Sequence, residues 1–359
     1  MHGVSQQHRN HAMKAETLLP LGKLDPGLRA PDSALELDRV PFDASQAEDA
    51  GYHALLMEET KDDPFQVLAL AASVTKRIHI GTSVAIAFAR SPYVTAQAVW
   101  TLQNMSNGRF ELGLGTQVRA HIRRRFGLEW HAPGPWMRDY VRAVRAIWKS
   151  WQNEQPLHFE SEHYNLNLTV PLFTPAPIDY PEIPILVAAV DPYMSRVAAE
   201  VADGVRLHPV CSPRYIENVL VPAMAPWRSA HFEVCLKPLI ATAPNEEILE
   251  QRVRIARQRL AFYISTPAYT RAFSIYGLEE LCKKMAQLSR TQRWDEMEQL
   301  VDDDLLHKCV VVALYDRLAE TINSRYGHLI DRVEVSIPVE TPADSERLTE
   351  IVEQLNTAK

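Results

Sequence analysis

Apolar runs of strand length alternate with stretches of helical period along most of the chain, which predicts parallel strands joined by crossover helices. Eight runs read as strands, at 14–21, 54–58, 78–88, 110–114, 185–190, 205–208, 234–240 and 332–337. Between them, 92–105 places Val94, Ala98, Leu102 and Met105 on one helical face. A second stripe joins Tyr140, Val141, Val144, Ile147, Trp148 and Trp151, and both stripes suit helices packed on a sheet. Asp191-Pro192 reads as an N-cap followed by proline at the first helical position, and Asp203-Gly204 closes that helix before the next strand. A helix over 245–263 turns Leu249, Val253, Ala256 and Leu260 inward and leaves its glutamates and arginines as a solvated face.

Eight such units suit a closed (β/α)8 TIM barrel, although an open doubly wound sheet shares most of these signals. No G-x-G-x-x-G with a following acidic residue marks the first strand, which argues against a dinucleotide-binding sheet. Stretches 119–135, 153–184 and 261–304 exceed ordinary connections, and in a barrel such insertions shape the pocket. The polar opening, 1–12, reads as a disordered extension ahead of a single domain over 13–359.

With 359 residues, 46% of them hydrophobic, the chain can bury a large core, and its net charge of -7 argues against a sequence-independent nucleic-acid binder. No segment approaches the roughly 20 apolar residues of a membrane span, so a cytoplasmic protein without a membrane partner is expected. Cys211, Cys235, Cys282 and Cys309 show no C-x-x-C spacing and read as buried thiols, with no metal site indicated.

Three ordered blocks carry a resemblance: "EETKDDPFQVLALAASVTKRIHIGTSVAIAFARSP" from Glu58, "SNGRFELGLGTQVRAHIRRRFG" from Ser106, and "ILVAAVDPYMSRVAAEVADGVRLHP" from Ile185. The chain resembles the luciferase-like flavin and deazaflavin oxidoreductases, and its S-x-G-R-F-x-L-G-L-G-T-Q form is more similar to the branch that uses coenzyme F420. The resemblance implies a TIM barrel with its cofactor across the carboxyl ends of the strands, and a homodimer. It also implies a non-proline cis peptide near Ser83-Val84, pressed against the cofactor ring.

Gly113 and Gly115 leave no side chain at the end of the fourth strand. Either they let a planar ring approach the backbone, with Thr116 and Gln117 at its edge, or they merely relieve crowding in the barrel. The block holding Ala188, Ala189, Val190, Tyr193 and Met194 opens a helix whose free amides suit a phosphate, and the resemblance puts the cofactor phosphate there. Asp191 and Tyr193 depart from the family pattern: Asp191 either faces in and opposes phosphate or faces away as a plain cap. Arg119, Arg123, Arg124 and Arg125, with His121 among them, could hold the phosphate or the polyglutamate tail of the deazaflavin; a solvated helix face is the plainer reading.

For proton transfer the strand ends offer Glu59 and Asp62, with His208 as a further candidate, whereas Asp63 before Pro64 suits a helix cap. The expected activity is hydride transfer between coenzyme F420 and a small organic substrate. The alternatives are a monooxygenase using reduced FMN from a separate reductase, and a non-catalytic barrel with a degraded cofactor site.

Overall fold

The structure, a computed structural model, describes residues 12–23 and 34–357. All but the last residue of the expected N-terminal extension lies outside them. The eight expected strands form: β1 (Lys14–Leu18), β2 (Ala54–Met57), β3 (His79–Thr82), β4 (Phe110–Gly115), β5 (Ile185–Ala189), β6 (Gly204–Leu207), β7 (Glu233–Leu236) and β8 (Arg332–Glu334). Each pairs in parallel with its neighbours in sequence, and β8 returns to β1 with Lys14 opposite Arg332 and Glu16 opposite Glu334. The ring is closed, and helices surround it: this is the (β/α)8 TIM barrel.

Two expected strands are broken. The run 78–88 stops at a cis peptide between Ser83 and Val84. It resumes as Ala85–Ile86 beside Leu114 and Gly115, then turns through Ala87–Ala89. The run 234–240 stops because Pro238 has no N–H to offer a ladder. Leu239–Ala243 then leaves the ring and pairs in parallel with Val310–Leu314. Between these two strands lie helix Glu246–Ile264, as expected over 245–263, and the third insertion, which folds into helices that include Glu279–Arg290.

The stripe expected on helix Pro92–Met105 is buried only in part: Leu102 is buried and Ala98 half-buried, whereas Val94 is 55% and Met105 43% exposed. The buried face also includes polar Thr95 and Gln103 beside Val99 and Trp100. Hydrogen bonds make that possible: Thr95 Oγ1 lies 2.6 Å from the Tyr140 hydroxyl, and Gln103 accepts from Phe110 N at 2.9 Å and donates to Tyr180 O at 2.9 Å. A count of apolar positions does not register such residues. The second stripe, on helix Pro133–Gln152, is buried as expected, and all four cysteines are free and buried.

Much of the second insertion lies away from the barrel mouth. Tyr93 donates to Phe173 O, Trp100 to Ala176 O and Gln103 to Tyr180 O, so 173–180 runs along the outer side of helix Pro92–Met105.

Inside the ring, the amino-terminal half is filled by charge. Arg332 binds Glu16 at 3.0 Å and Glu111 at 2.7 Å and also pairs with Glu233, while Arg206 binds Glu16 at 2.8 Å. Glu16, Glu111, Arg206 and Arg332 are almost wholly buried, and burial on that scale is tolerable only because each charge has opposite partners. Burial alone would push the Glu16 carboxyl up; Arg206 and Arg332 overcome it and hold it below the usual range.

Candidate active site at the carboxyl end of the barrel

Side chains alternate in and out along a strand, so the residues following Leu56, Arg206, Cys235 and Arg332 by two positions reach the carboxyl mouth from inside. These are Glu58, His208, Lys237 and Glu334. Lys237 Nζ lies 2.9 Å from Glu58 Oε1 and 3.0 Å from Glu334 Oε1. Burial disfavours the ammonium, but Glu334 and Glu58 outweigh it and hold its pKa above the ordinary lysine value. The carboxylates diverge. Burial raises Glu334, whereas Lys237 and Lys23 overcome burial at Glu58 and lower it. The opposed shifts of the two carboxyls mark this cluster as a candidate site for proton transfer.

His208, expected from sequence, is at this mouth. Burial, and then the nearby Lys237, push its imidazole down to about 4, so the ring is neutral near pH 7. Its Nδ1 accepts from Val210 N at 3.3 Å. Two tyrosines of the third insertion cover it, with ring centroids 4.4 Å away for Tyr269 and 5.1 Å for Tyr263.

Glu59 points the other way, a correction to its expected role. Its carboxylate accepts from Ile86 N at 2.7 Å and from Arg90 Nη1 at 2.7 and 2.6 Å, and Arg90 also binds Asp63 at 2.8 Å. With both oxygens engaged, Glu59 anchors the segment after the cis peptide. Asp63 caps helix Pro64–Val74, accepting from Phe65 N and Gln66 N as its sequence suggests. Asp62 is half-buried in the same loop. Sequence reasoning missed Glu58, Lys237 and Glu334. The available signal was the two-residue alternation, which puts Glu58 inside and Glu59 outside.

The glycines of β4 answer mainly to the protein itself. A Cβ at Gly113 would lie 1.9 Å from Thr82 O, and one at Gly115 would lie 2.6 Å from Val84 Cγ2. The cis peptide at Ser83-Val84 thus seats the Val84 side chain against Gly115, which is the crowding reading rather than open space for a ring. Even so, Ser83, Gly115 and Ala188, at or next to the ends of β3, β4 and β5, have minimal side chains. Thr116 and Gln117 are half-buried just beyond, with Gln117 at φ +55° and its Oε1 accepting from Val118 N at 2.9 Å.

At the end of β5, Ala189 O accepts from His208 N and Val190 O from the Tyr215 hydroxyl. Asp191 caps helix Pro192–Val201: its Oδ1 accepts from Tyr193 N at 2.8 Å and Met194 N at 3.1 Å. The plain-cap reading of Asp191 is the observed one. The amides expected to receive a phosphate are occupied by the chain's own carboxylate. Met194 is buried, while Tyr193 is half exposed and packs its ring on Gly134, where a Cβ would lie 2.2 Å from Tyr193 Cε1. Across the mouth, helix Arg119–Arg124 exposes Arg119, His121, Arg123 and Arg124 and buries Ile122. Arg125 donates to Thr60 O at 3.2 Å, tying this turn to the loop after β2.

A barrel whose titratable side chains converge at the carboxyl ends of its strands belongs, by architecture, among the TIM-barrel enzymes. Residues 23–332 match the model of the luciferase-like monooxygenase family, and the chain belongs to that family. It is 39% identical to the uncharacterized protein Rv1360 of Mycobacterium tuberculosis over 312 residues, 85% of this chain and 88% of that one. The coenzyme F420-dependent tetrahydromethanopterin reductase of Methanopyrus kandleri has the same fold, with a TM-score of 0.70 at 19% identity, covering 97% of this chain and 98% of that one. So does the oxygenating constituent of 3,6-diketocamphane monooxygenase from Pseudomonas putida, in complex with FMN, with a TM-score of 0.66 at 16% identity and 97% coverage of both chains. The family comprises oxidoreductases and monooxygenases with F420- and flavin-dependent members. No helix among the described residues is long and apolar enough to cross a membrane, and no group of three or more metal-ligating side chains is present among them.

Proposed function

We propose that the chain is a coenzyme F420-dependent oxidoreductase that moves hydride between the deazaflavin and a small organic substrate. The observation that carries this reading is the Glu58, Lys237 and Glu334 cluster at the carboxyl mouth. Small Ser83 and Ala188 suit the flat ring of such a coenzyme, whereas Val84 fills the place beside Gly115; the helix capped by Asp191 does not suit its phosphate. When bound, the deazaflavin supplies the hydride, and the protein must supply what hydride transfer lacks.

A substrate that accepts hydride becomes an anion and needs a proton at the same place. Glu334, held above the usual carboxylate range by burial, stores that proton, and Lys237 orients it between two carboxylates. Neutral His208 presents a ring without charge beside the same space. Tyr263 and Tyr269 cover it, which limits water at the site.

Titration of the purified protein with F420 and FMN, each oxidised and reduced, tests the reading. F420 binding with reduction-dependent turnover supports it. Selective binding of reduced FMN with oxygen uptake would replace it by the monooxygenase reading, and binding of neither by the non-catalytic one. We also propose that the protein is a homodimer in which a second copy covers the apolar face formed by Val94, Leu172 and Phe173, which are 55%, 84% and 65% exposed.

A further inference from the structure

We infer that His208 Nε2–H donates a hydrogen bond to the substrate's oxygen, and that the substrate is accordingly a carbonyl compound or the matching alcohol. The hydride step rests on the F420 reading above. The donor, and the group it fits, follow from the surroundings of the imidazole.

The backbone tells the two ring nitrogens apart. Val210 N donates to Nδ1 at 3.3 Å, so Nδ1 is an acceptor and the proton of the neutral ring is on Nε2. Burial, and then Lys237, keep the ring neutral near pH 7. His208 is fixed on both sides: its N donates to Ala189 O at 3.2 Å and its O accepts from Cys211 N at 2.9 Å. Tyr269 and Tyr263 pack on the ring, 4.4 and 5.1 Å away between centroids, and leave the residue half-buried. The donor is thus held in place at the mouth it shares with Lys237.

That donor is unspent. Among the described residues nothing accepts from Nε2: Lys237 engages the Glu58 and Glu334 carboxylates, and neither tyrosine hydroxyl takes the imidazole proton. A held N–H without an acceptor forfeits a hydrogen bond unless a ligand brings one. A carboxylate would accept, but its carbon does not take hydride. An iminium carbon takes hydride but brings no acceptor. A carbonyl group has both. As hydride adds to the carbonyl carbon, a C–H bond forms and the C=O π pair moves to oxygen, where the bond from Nε2 strengthens with the growing charge. The oxygen then takes the Glu334 proton to give the alcohol. The two electrons come from the reduced deazaflavin, and Glu334 is left ionised beside Lys237.

The test needs no coenzyme. NMR of isotope-labelled imidazole nitrogens, with the His208→Gln spectrum to assign the signal, reports which nitrogen is protonated. The probes are acetophenone and α-methylstyrene, its isostere with CH2 in place of the oxygen. Wild type is expected to carry the His208 proton on Nε2 and to shift that signal with acetophenone but not with α-methylstyrene. By calorimetry it should bind the ketone about 10-fold more tightly, the scale of one hydrogen bond to a fixed donor. His208→Phe keeps a ring against the two tyrosines and loses the donor, so its preference should vanish. His208→Gln loses the ring and keeps an amide donor, so it should retain a preference of about 3-fold or more. A role in packing alone would rank the two variants the other way, and that ranking would overturn the inference. A wild-type proton on Nδ1, equal binding of the two probes, or binding of neither would overturn it as well. The F420 titration is a separate measurement, so either reading can fail while the other stands.

Discussion

Val84 fills the place of the side chain that Gly115 lacks: a Cβ on Gly115 would come within 2.6 Å of Val84 Cγ2. Gly115→Val must therefore displace Val84 first. Even Gly115→Ala should destabilise the protein by about 1–3 kcal/mol, the usual range for overpacking. Adding Val84→Ala should recover much of that loss. Thermal melts of the two single variants and the double variant decide it, and simple additivity would show that the two side chains do not compete for one space.

Among the described residues, Lys237→Met removes the one cation within salt-bridge distance of Glu334 and the nearer of two for Glu58. Without it both carboxyls should rise above the glutamate value of the unfolded chain. A raised carboxyl contributes stability below the unfolded pKa and loses it as pH climbs through the folded one. The variant should thus match wild type near pH 4 and fall behind at pH 8, by less than the ~3–5 kcal/mol of a broken fully buried pair because Lys237 is 40% and Glu58 32% exposed. Chemical denaturation at several pH values measures this; a deficit independent of pH would show that the lysine contributes packing alone.

All eight strands of the barrel were legible because each is a short apolar run flanked by a helix, and caps such as Asp63 and Asp191 were legible because they act within three residues of themselves. The buried ion pairs of the barrel interior and the cluster at its mouth were not. Glu16 and Arg332 are 316 positions apart, and Lys237 reaches Glu58 across 179, so nothing local announces either pairing. The glutamate pair at 58 and 59 shows the limit most sharply. Equal in chemistry, the two are separated only by strand parity, which one unbroken register decides.

His53 and His208 set the acid limb of stability. Burial holds them down to about 3 and about 4, respectively. Both sit below the unfolded value near 6.5, so their contribution is complete above about pH 6.5 and is lost as pH falls. The lowered carboxylates Glu16, Glu58 and Glu233 begin to act only below about pH 4.5, which leaves the interval from pH 6.5 to 5 to histidine. Over that interval His208→Gln and His53→Gln should each remove about 1 kcal/mol per pH unit from the slope of unfolding free energy. Unchanged slopes would place these imidazoles in contact with water in the folded protein.

The homodimer proposal has a direct test. Leu172→Asp and Phe173→Asp lie on an exposed segment hung on helix Pro92–Met105 through Tyr93, Trp100 and Gln103, so they should leave the monomer folded. Light scattering should then report a dimer for wild type and a monomer for the double variant. A monomeric wild type, or a double variant that remains dimeric, would remove this face from the interface.

Glu59 and Glu334 should part company when each is made glutamine. Glu59 is committed to Arg90 and to Ile86 N, so Glu59→Gln loses charge-assisted bonds and should cost about 1–2 kcal/mol in stability. Glu334 is pushed by burial toward its neutral form, which glutamine imitates in shape, and Lys237 keeps Glu58. Glu334→Gln should therefore change stability at pH 7 by less than about 1 kcal/mol. In catalysis the order reverses: removing the stored proton should lower kcat by about 100-fold and abolish a limb of the pH profile. Loss of that limb in Glu59→Gln instead would return the proton to the outward-facing glutamate.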